Sequence, residues 1–245
     1  MYPDHFLDVN ILIGSRVPTD AQYDKTTTYM QRQQIRRCTS GNGRKLAKNY
    51  FDFIRLEARE FLLELAANTK TFPNDDTKIR ELIFGSIYDF VERGRLSLTR
   101  SKQLISFVTS VKALHHLVAE IQENKRNGVK NYCKYVISAI EHAILTLKQD
   151  CNYDVHALIR VYDREAPKGK DKVEYPILRQ QLLDIIGDDE DVEIFLDCHD
   201  VQNHRIKTSV CFITADARHF LDKQIKPRIQ AITPHILIQS PYYRP

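Results

Sequence analysis

The sequence predicts an α/β fold: a mostly parallel central sheet flanked by helices, with a large helical insertion at about 70–187. Three observations carry this. Short apolar runs of strand length stand near both ends, at 5–13, 209–214 and 235–238. The middle of the chain instead repeats apolar residues at spacings of three and four, which line one face of a helix. A length of 245 residues, 42% hydrophobic and 28% charged, suits one large domain, 1–245, rather than a disordered or membrane-embedded chain.

The elements follow in order. Residues 5–13, HFLDVNILI, are an apolar run interrupted by Asp8 and Asn10, as expected of a buried strand. Residues 19–36 are polar and are expected to form a surface helix capped by Thr19. Thr39, Ser40 and a Gly41-Asn42-Gly43 turn lead into a long helix at about 44–68. Pro73 to Thr77 breaks that helix, with Thr77 placed to cap the next. Three helical stripes follow: Ile79, Leu82, Ile83, Ile87 and Phe90, then Leu104, Val108, Val111, His115, Val118 and Ile121, then Val136, Ile140, Ala143, Ile144 and Leu147. Residues 153–163 read as strand or helix, 166–170 as a loop and 175–186 as a short helix. Acids at 188–191 start a helix reaching 203. Ser209–Thr214 read as a strand, 216–223 as a helix, and His235–Ile238 as the closing strand.

Composition excludes several classes of function. The net charge of +4 is too small to identify a nucleic-acid binder by itself. No run approaches the roughly 18 apolar residues of a membrane span, and Asp4, His5 and Asp8 ahead of Arg16 argue against a signal peptide. Five cysteines at 38, 133, 151, 198 and 211, with no CxxC, suit a reduced cytoplasmic protein better than a disulfide framework or a zinc knuckle. Walker, GxGxxG and GxSxG loops are absent from the sequence. His115-His116 reads as a packed core pair, and Cys198-His199 has no metal-ligand spacing to another cysteine.

What remains is a set of acids in apolar settings. An ionised Asp8 inside an apolar run is costly unless it is paired, protonated or bound to a cation, or caps a turn at the strand's end. Asp216 stands just past a strand of apolar or small residues, where open α/β sheets bind ligands, and also where an Asp can simply cap a helix. Residues 184–200 hold eight acids and neither Lys nor Arg. Among them Asp191 and Asp197 flank the apolar Ile194, Phe195 and Leu196. Asp8, Asp216 and one of Asp191 and Asp197 would make a cluster of hard oxygen ligands suited to Mg²⁺ or Mn²⁺.

These residues resemble a known family. Asp8-Val-Asn10-Ile-Leu is similar to the first signature of PIN-domain nucleases, and Phe212-Ile-Thr-Ala-Asp216-Ala-Arg-His-Phe220 to the last, a strand ending in Thr-x-Asp. Asp191-Val-Glu-Ile-Phe-Leu-Asp197 resembles the helix bearing the family's third acid, with either Asp as that acid. The likeness covers roughly 5–60 and 188–241. It implies a PIN-like fold and metal-dependent endoribonuclease activity on single-stranded RNA. Asp8, Asp216 and Asp191 or Asp197 would hold Mg²⁺ or Mn²⁺, and Asn10 and Thr214 would orient the carboxylates and the attacking water. A homodimer and an inhibitor protein stand open as partners. One departure matters. Where the family carries a further acid, early in the helix after the second strand, this chain has Arg44, Lys45 and Leu46, and Glu57 is the substitute a shifted register would use.

Basic residues cluster at 16–48 and at 93–134, where Tyr132 and Tyr135 interleave with Lys130 and Lys134 as candidate base-stacking rings. Two rival readings stand beside the nuclease. One is a catalytically weakened PIN-like module that binds RNA or a protein. The other is an aspartyl-phosphate phosphohydrolase, which wants an Asp where Asn10 stands.

Overall fold

The apolar run at 5–13 divides in two. In the computed structural model, which describes residues 4–32, 35–68, 71–94, 96–125, 127–150, 159–164 and 175–242, strand β1 covers only Asp4–Leu7. Asp8 then leaves the strand, and its side chain accepts from the Val9 N–H to cap helix α1, Val9–Gly14. Four further strands follow: β2 (Arg37–Ser40), β3 (Ile159–Tyr162), β4 (Val210–Ile213) and β5 (Ile236–Gln239). They form one sheet of order β3-β2-β1-β4-β5, and every pairing is parallel. The chain steps outward from β1 to β2 and β3, then returns to lay β4 against the other side of β1. The strand order therefore reverses between β1 and β4, and the carboxyl ends of the strands at such a reversal are where open α/β sheets bind ligands.

The helices α2 (Tyr23–Met30), α3 (Gly41–Ala67), α4 (Asp76–Arg93), α5 (Leu98–Thr109), α6 (Val111–Glu123) and α7 (Gly128–Gln149) come next. Several boundaries differ from expectation for local reasons. Thr19 is buried and α2 begins only at Tyr23. The Gly41-Asn42-Gly43 segment is the first turn of α3 rather than a preceding loop, because Ser40 Oγ accepts from the Gly43 N–H at 2.9 Å. A Cβ at Gly41 would overlap the Asp163 carboxylate, which would have to move aside. Asp75, not Thr77, caps α4. The stripe at 104–121 belongs to two helices bent by 56° at Ser110, whose extended backbone and side chain cap α6. Val111, His115 and His116 are exposed, and the two histidine rings meet edge to face at 6.2 Å on the surface, not in the core as expected. Leu114 and Leu117 are buried in their place, and Val118 and Ile121 are buried as expected.

Toward the end of the chain, α8 (Pro176–Ile186) stops at Gly187, whose φ of 76° favours glycine. Helix α9 (Asp189–Val201), capped by Asp188, runs on into a π-helical turn, Gln202–Ile206. The expected helix at 216–223 is a set of turns, because Asp216 Oδ1 accepts from the N–H groups of Arg218 (2.8 Å) and His219 (3.1 Å). Helix α10 (Ile225–Ile232) was not anticipated, and Asp222 Oδ1 accepts from Gln224 and Ile225 N–H just ahead of its first turns. The loop expected at 166–170 lies outside the described residues, as does the start of the ambiguous stretch at 153–163, which ends in β3.

The chain divides into two units. The sheet unit comprises Met1–Ser15, Asp24–Lys48 and Leu145–Pro245, and the helical unit Arg16–Tyr23 and Asn49–Ile144. Strand β3 and helix α8 fall within the stretch expected to be helical insertion, yet β3 is paired into the sheet. Among the described residues no single helix is long and apolar enough to cross a membrane.

Candidate metal centre

The β1–β4 register sets Leu7 beside Ile213, so Asp8 and Thr214 emerge at the same level. Asp8 N donates to Ile213 O at 3.0 Å. Alternation along a strand puts Phe6 on the face of Asp8 and Phe212 on the face of Thr214. The two rings stack at 6.1 Å, and Phe195 and Phe220 close against Phe212 at 5.1 and 4.8 Å. All four rings are fully buried. Phe195 follows Asp191 by one helical turn and Phe220 follows His219 directly. One aromatic cluster thus anchors every segment that carries a polar side chain of the centre.

Hydrogen bonds then close the network. Asp8 Oδ1 accepts from Val9 N at 2.6 Å, and Oδ2 accepts from Asn10 Nδ2 at 2.6 Å and Thr214 Oγ1 at 2.7 Å. Thr214 Oγ1 also accepts from Asp216 N at 3.0 Å, and Asn10 Oδ1 from Ala215 N at 3.0 Å. The two ends of the chain are tied through residues 8, 10, 214, 215 and 216. Because Asp216 Oδ1 is held by two backbone N–H groups, its Oδ2 is turned to His219, whose Nδ1 lies 3.1 Å away. The same Nδ1 is 2.7 Å from Asp191 Oδ2. Ligand atoms of Asp191, Asp216 and His219 all lie within 4.8 Å of one another.

Asp191 arrives by topology. The helix that returns the chain to a parallel strand runs antiparallel to it, so the first turn of α9 sits at the strands' carboxyl edge. Asp197 is six residues further on, about 9 Å along the axis and roughly 120° around it. It does not join the cluster. Its Oδ1 is 2.5 Å from Arg164 Nε, with both side chains buried. Arg164 also donates to the Glu193 carbonyl (2.6 Å) and carboxylate (2.9 Å), and Arg179 links Glu193 to Asp189. Glu57 belongs to the part of α3 in the helical unit and is not a member of the cluster either.

The electrostatics follow from burial. Asp8 is pushed up to about 7 by desolvation, against its hydrogen bond from Thr214 and with the charges of Asp191 and Asp216 adding. Asp191 is pushed up to about 6 by desolvation, opposed by His219 and reinforced by Asp188 and Asp216. Carboxylates that resist ionising together are a setting a divalent cation relieves, and the two carboxylates and one imidazole fit such an ion. His219 escaped the sequence reading, although its spacing from Asp216, three residues on, places both in one turn. Arg164 carried no sequence signal, since only the fold brings the end of β3 to α9. So too with Asp163, which reaches the start of α3 from β3, near the Arg44-Lys45 turn that has no acid of its own.

The basic residues are partly engaged in structure. Arg37 is buried and donates to the Tyr29 and Arg32 carbonyls. Within the helical unit Arg93 pairs with Glu64, while Arg100 and Lys112 lie over Phe53 and Tyr23. Tyr132 is buried and offers no face to a base, whereas Tyr135 is exposed. Compared with known proteins, the chain matches no family model, no curated protein and no solved structure.

Proposed function

We propose that the protein is a metal-dependent ribonuclease that hydrolyses phosphodiester bonds of single-stranded RNA, the activity implied by its resemblance to PIN-domain nucleases. The observation that carries this reading is the meeting of Asp8, Asp191 and Asp216 at the reversal point of a parallel sheet. Residues 8 and 214 are joined by a hydrogen bond across 206 positions of sequence. A bound Mg²⁺ or Mn²⁺ would supply positive charge at the scissile phosphate and lower the pKa of a water there.

The chain's own residues do the rest. Asp216 Oδ2 and Asp191 Oδ2 would hold the ion, and the buried Asp8 carboxylate feels the charge of both. Asn10 and Thr214 hold the Asp8 carboxylate and the 214–216 backbone in fixed relation. Arg44 and Lys45, in the first turn after β2, stand at the same edge of the sheet and are suited to the neighbouring phosphates.

That same turn favours a second reading. With no acid among its first residues, α3 lacks the ligand the family places there, and a PIN-like module that binds RNA or a protein without cutting would show this feature. Cleavage of labelled single-stranded RNA in Mn²⁺, in Mg²⁺ and in chelator separates the two. The nuclease requires cation-dependent cleavage that Asp216→Asn and Asp8→Asn each reduce at least 100-fold while circular dichroism stays unchanged. Cleavage by both variants at the wild-type rate overturns the proposal, and RNA binding without cleavage supports the module.

A further inference from the structure

The imidazole of His219 occupies an unusual place. Its Nδ1 stands between two carboxylate oxygens of different segments, 2.7 Å from Asp191 Oδ2 and 3.1 Å from Asp216 Oδ2. An ion bridging those carboxylates would have this nitrogen within its reach. The ring cannot drift far from Asp216, because its own backbone N–H is bound to Asp216 Oδ1 and the next residue, Phe220, is locked in the buried aromatic cluster. The three side chains are 20–27% exposed, so solvent ions reach them.

We infer that His219 Nδ1 is itself a ligand, and that the centre is a mixed nitrogen–oxygen site for a first-row transition ion rather than an all-oxygen Mg²⁺ site. The inference rests on the proposed metal centre and specifies its donors. Mg²⁺ takes oxygen ligands, often keeping its waters, whereas imidazole suits the later first-row ions, and Mn²⁺ accepts both donor types. Coordination uses the neutral ring with its proton on Nε2, leaving the Nδ1 lone pair facing the ion. Binding is ligand exchange with loss of a proton: the proton shared between Nδ1 and Asp191 Oδ2 passes to solvent, and waters leave the ion as Asp191, Asp216 and His219 replace them.

The test uses the full chain with Mn²⁺ and Mg²⁺ as probes, calorimetry for affinity, and pulsed electron paramagnetic resonance for nitrogen bound to Mn²⁺. Neither readout depends on RNA cleavage. Wild type is expected to bind Mn²⁺ at least tenfold more tightly than Mg²⁺, with a ¹⁴N coupling to one imidazole. His219→Asn, which keeps a hydrogen-bond donor beside the carboxylates, should lose that coupling and at least tenfold in Mn²⁺ affinity while Mg²⁺ affinity changes less than threefold. Saturable Mn²⁺ binding without nitrogen coupling, unchanged in His219→Asn, overturns the inference and leaves the nuclease proposal standing. Wild type that binds neither ion overturns both.

Discussion

Replacing Asp191 by Asn should stabilise the metal-free protein at neutral pH. Burial and neighbouring acids hold this carboxyl at about 6, against 3.8 for an unperturbed Asp. Between those two values the folded chain binds more protons than the unfolded one, so stability falls as pH rises through the window and stays low above it. The full difference corresponds to about 3 kcal/mol, and the side chain's 27% exposure reduces this to about 2 kcal/mol. Asn abolishes the titration and keeps an oxygen for the His219 hydrogen bond. In chelator, urea unfolding followed by circular dichroism should show the variant ahead by less than about 1 kcal/mol at pH 4.5, growing to about 2 kcal/mol at pH 8. Saturating Mn²⁺ should reverse the order, since an ion at 100 times its Kd stabilises wild type by about 2.7 kcal/mol and the variant has lost a ligand. A variant less stable than wild type at pH 8 in chelator would refute the reasoning. Asp191 would then be an ordinary first-turn acid favoured by the helix dipole.

Two further predictions concern what holds the centre in place. Arg164→Met leaves Asp197 buried without its charge partner and should cost about 3–5 kcal/mol in urea unfolding, with Arg164→Met/Asp197→Leu recovering most of it. Mn²⁺ affinity of the single variant should fall as well, because Arg164 also anchors the Glu193 carbonyl in the second turn of α9. Phe220→Ala should cost about 3–5 kcal/mol by the same assay, because the ring is fully buried among Phe195 and Phe212.

One edge of the sheet was legible because β4 and β5 are apolar runs, as buried parallel strands commonly are, whereas β2 reads Arg-Cys-Thr-Ser. Residues 209–214 and 235–238 therefore read almost correctly as β4 and β5. The run at 5–13 misled because Ile11 and Leu12 of α1 are as fully buried as Phe6 and Leu7 of β1. Hydrophobicity alone does not mark where a buried strand becomes a buried helix. The clue was Asp8 itself: of its two readings, a charge in an apolar setting and a cap at the strand's end, the cap marks the boundary. The stripe from Leu104 to Ile121 failed in the opposite way. Its spacing ran smoothly across Ser110, but the extended residue there redirects the start of α6, so Val111 and His115 lie on the surface while Val118 and Ile121 keep their expected burial.

The candidate site was legible to the extent that its residues sit at strand ends, which is why Asp8, Asn10, Thr214 and Asp216 could be named together. The choice between Asp191 and Asp197 was not, because both flank apolar residues on one helix. Helix direction decides it. A crossover helix presents its first turn, not its third, to the carboxyl edge of the sheet, so Asp191 is brought to Asp216 and Asp197 is carried down into the packing layer. An acid delivered there needs a cation of its own, and the fold provides Arg164 from the end of β3. The two carboxylates thus share a helix and a buried setting but differ in counter-charge. Asp197 has a guanidinium built into the chain. Among the described residues, Asp8, Asp191 and Asp216 meet with the His219 imidazole and no guanidinium or ammonium ion pair, and this difference in neutralisation, not acidity as such, is what makes the second group a candidate for an exchangeable ion.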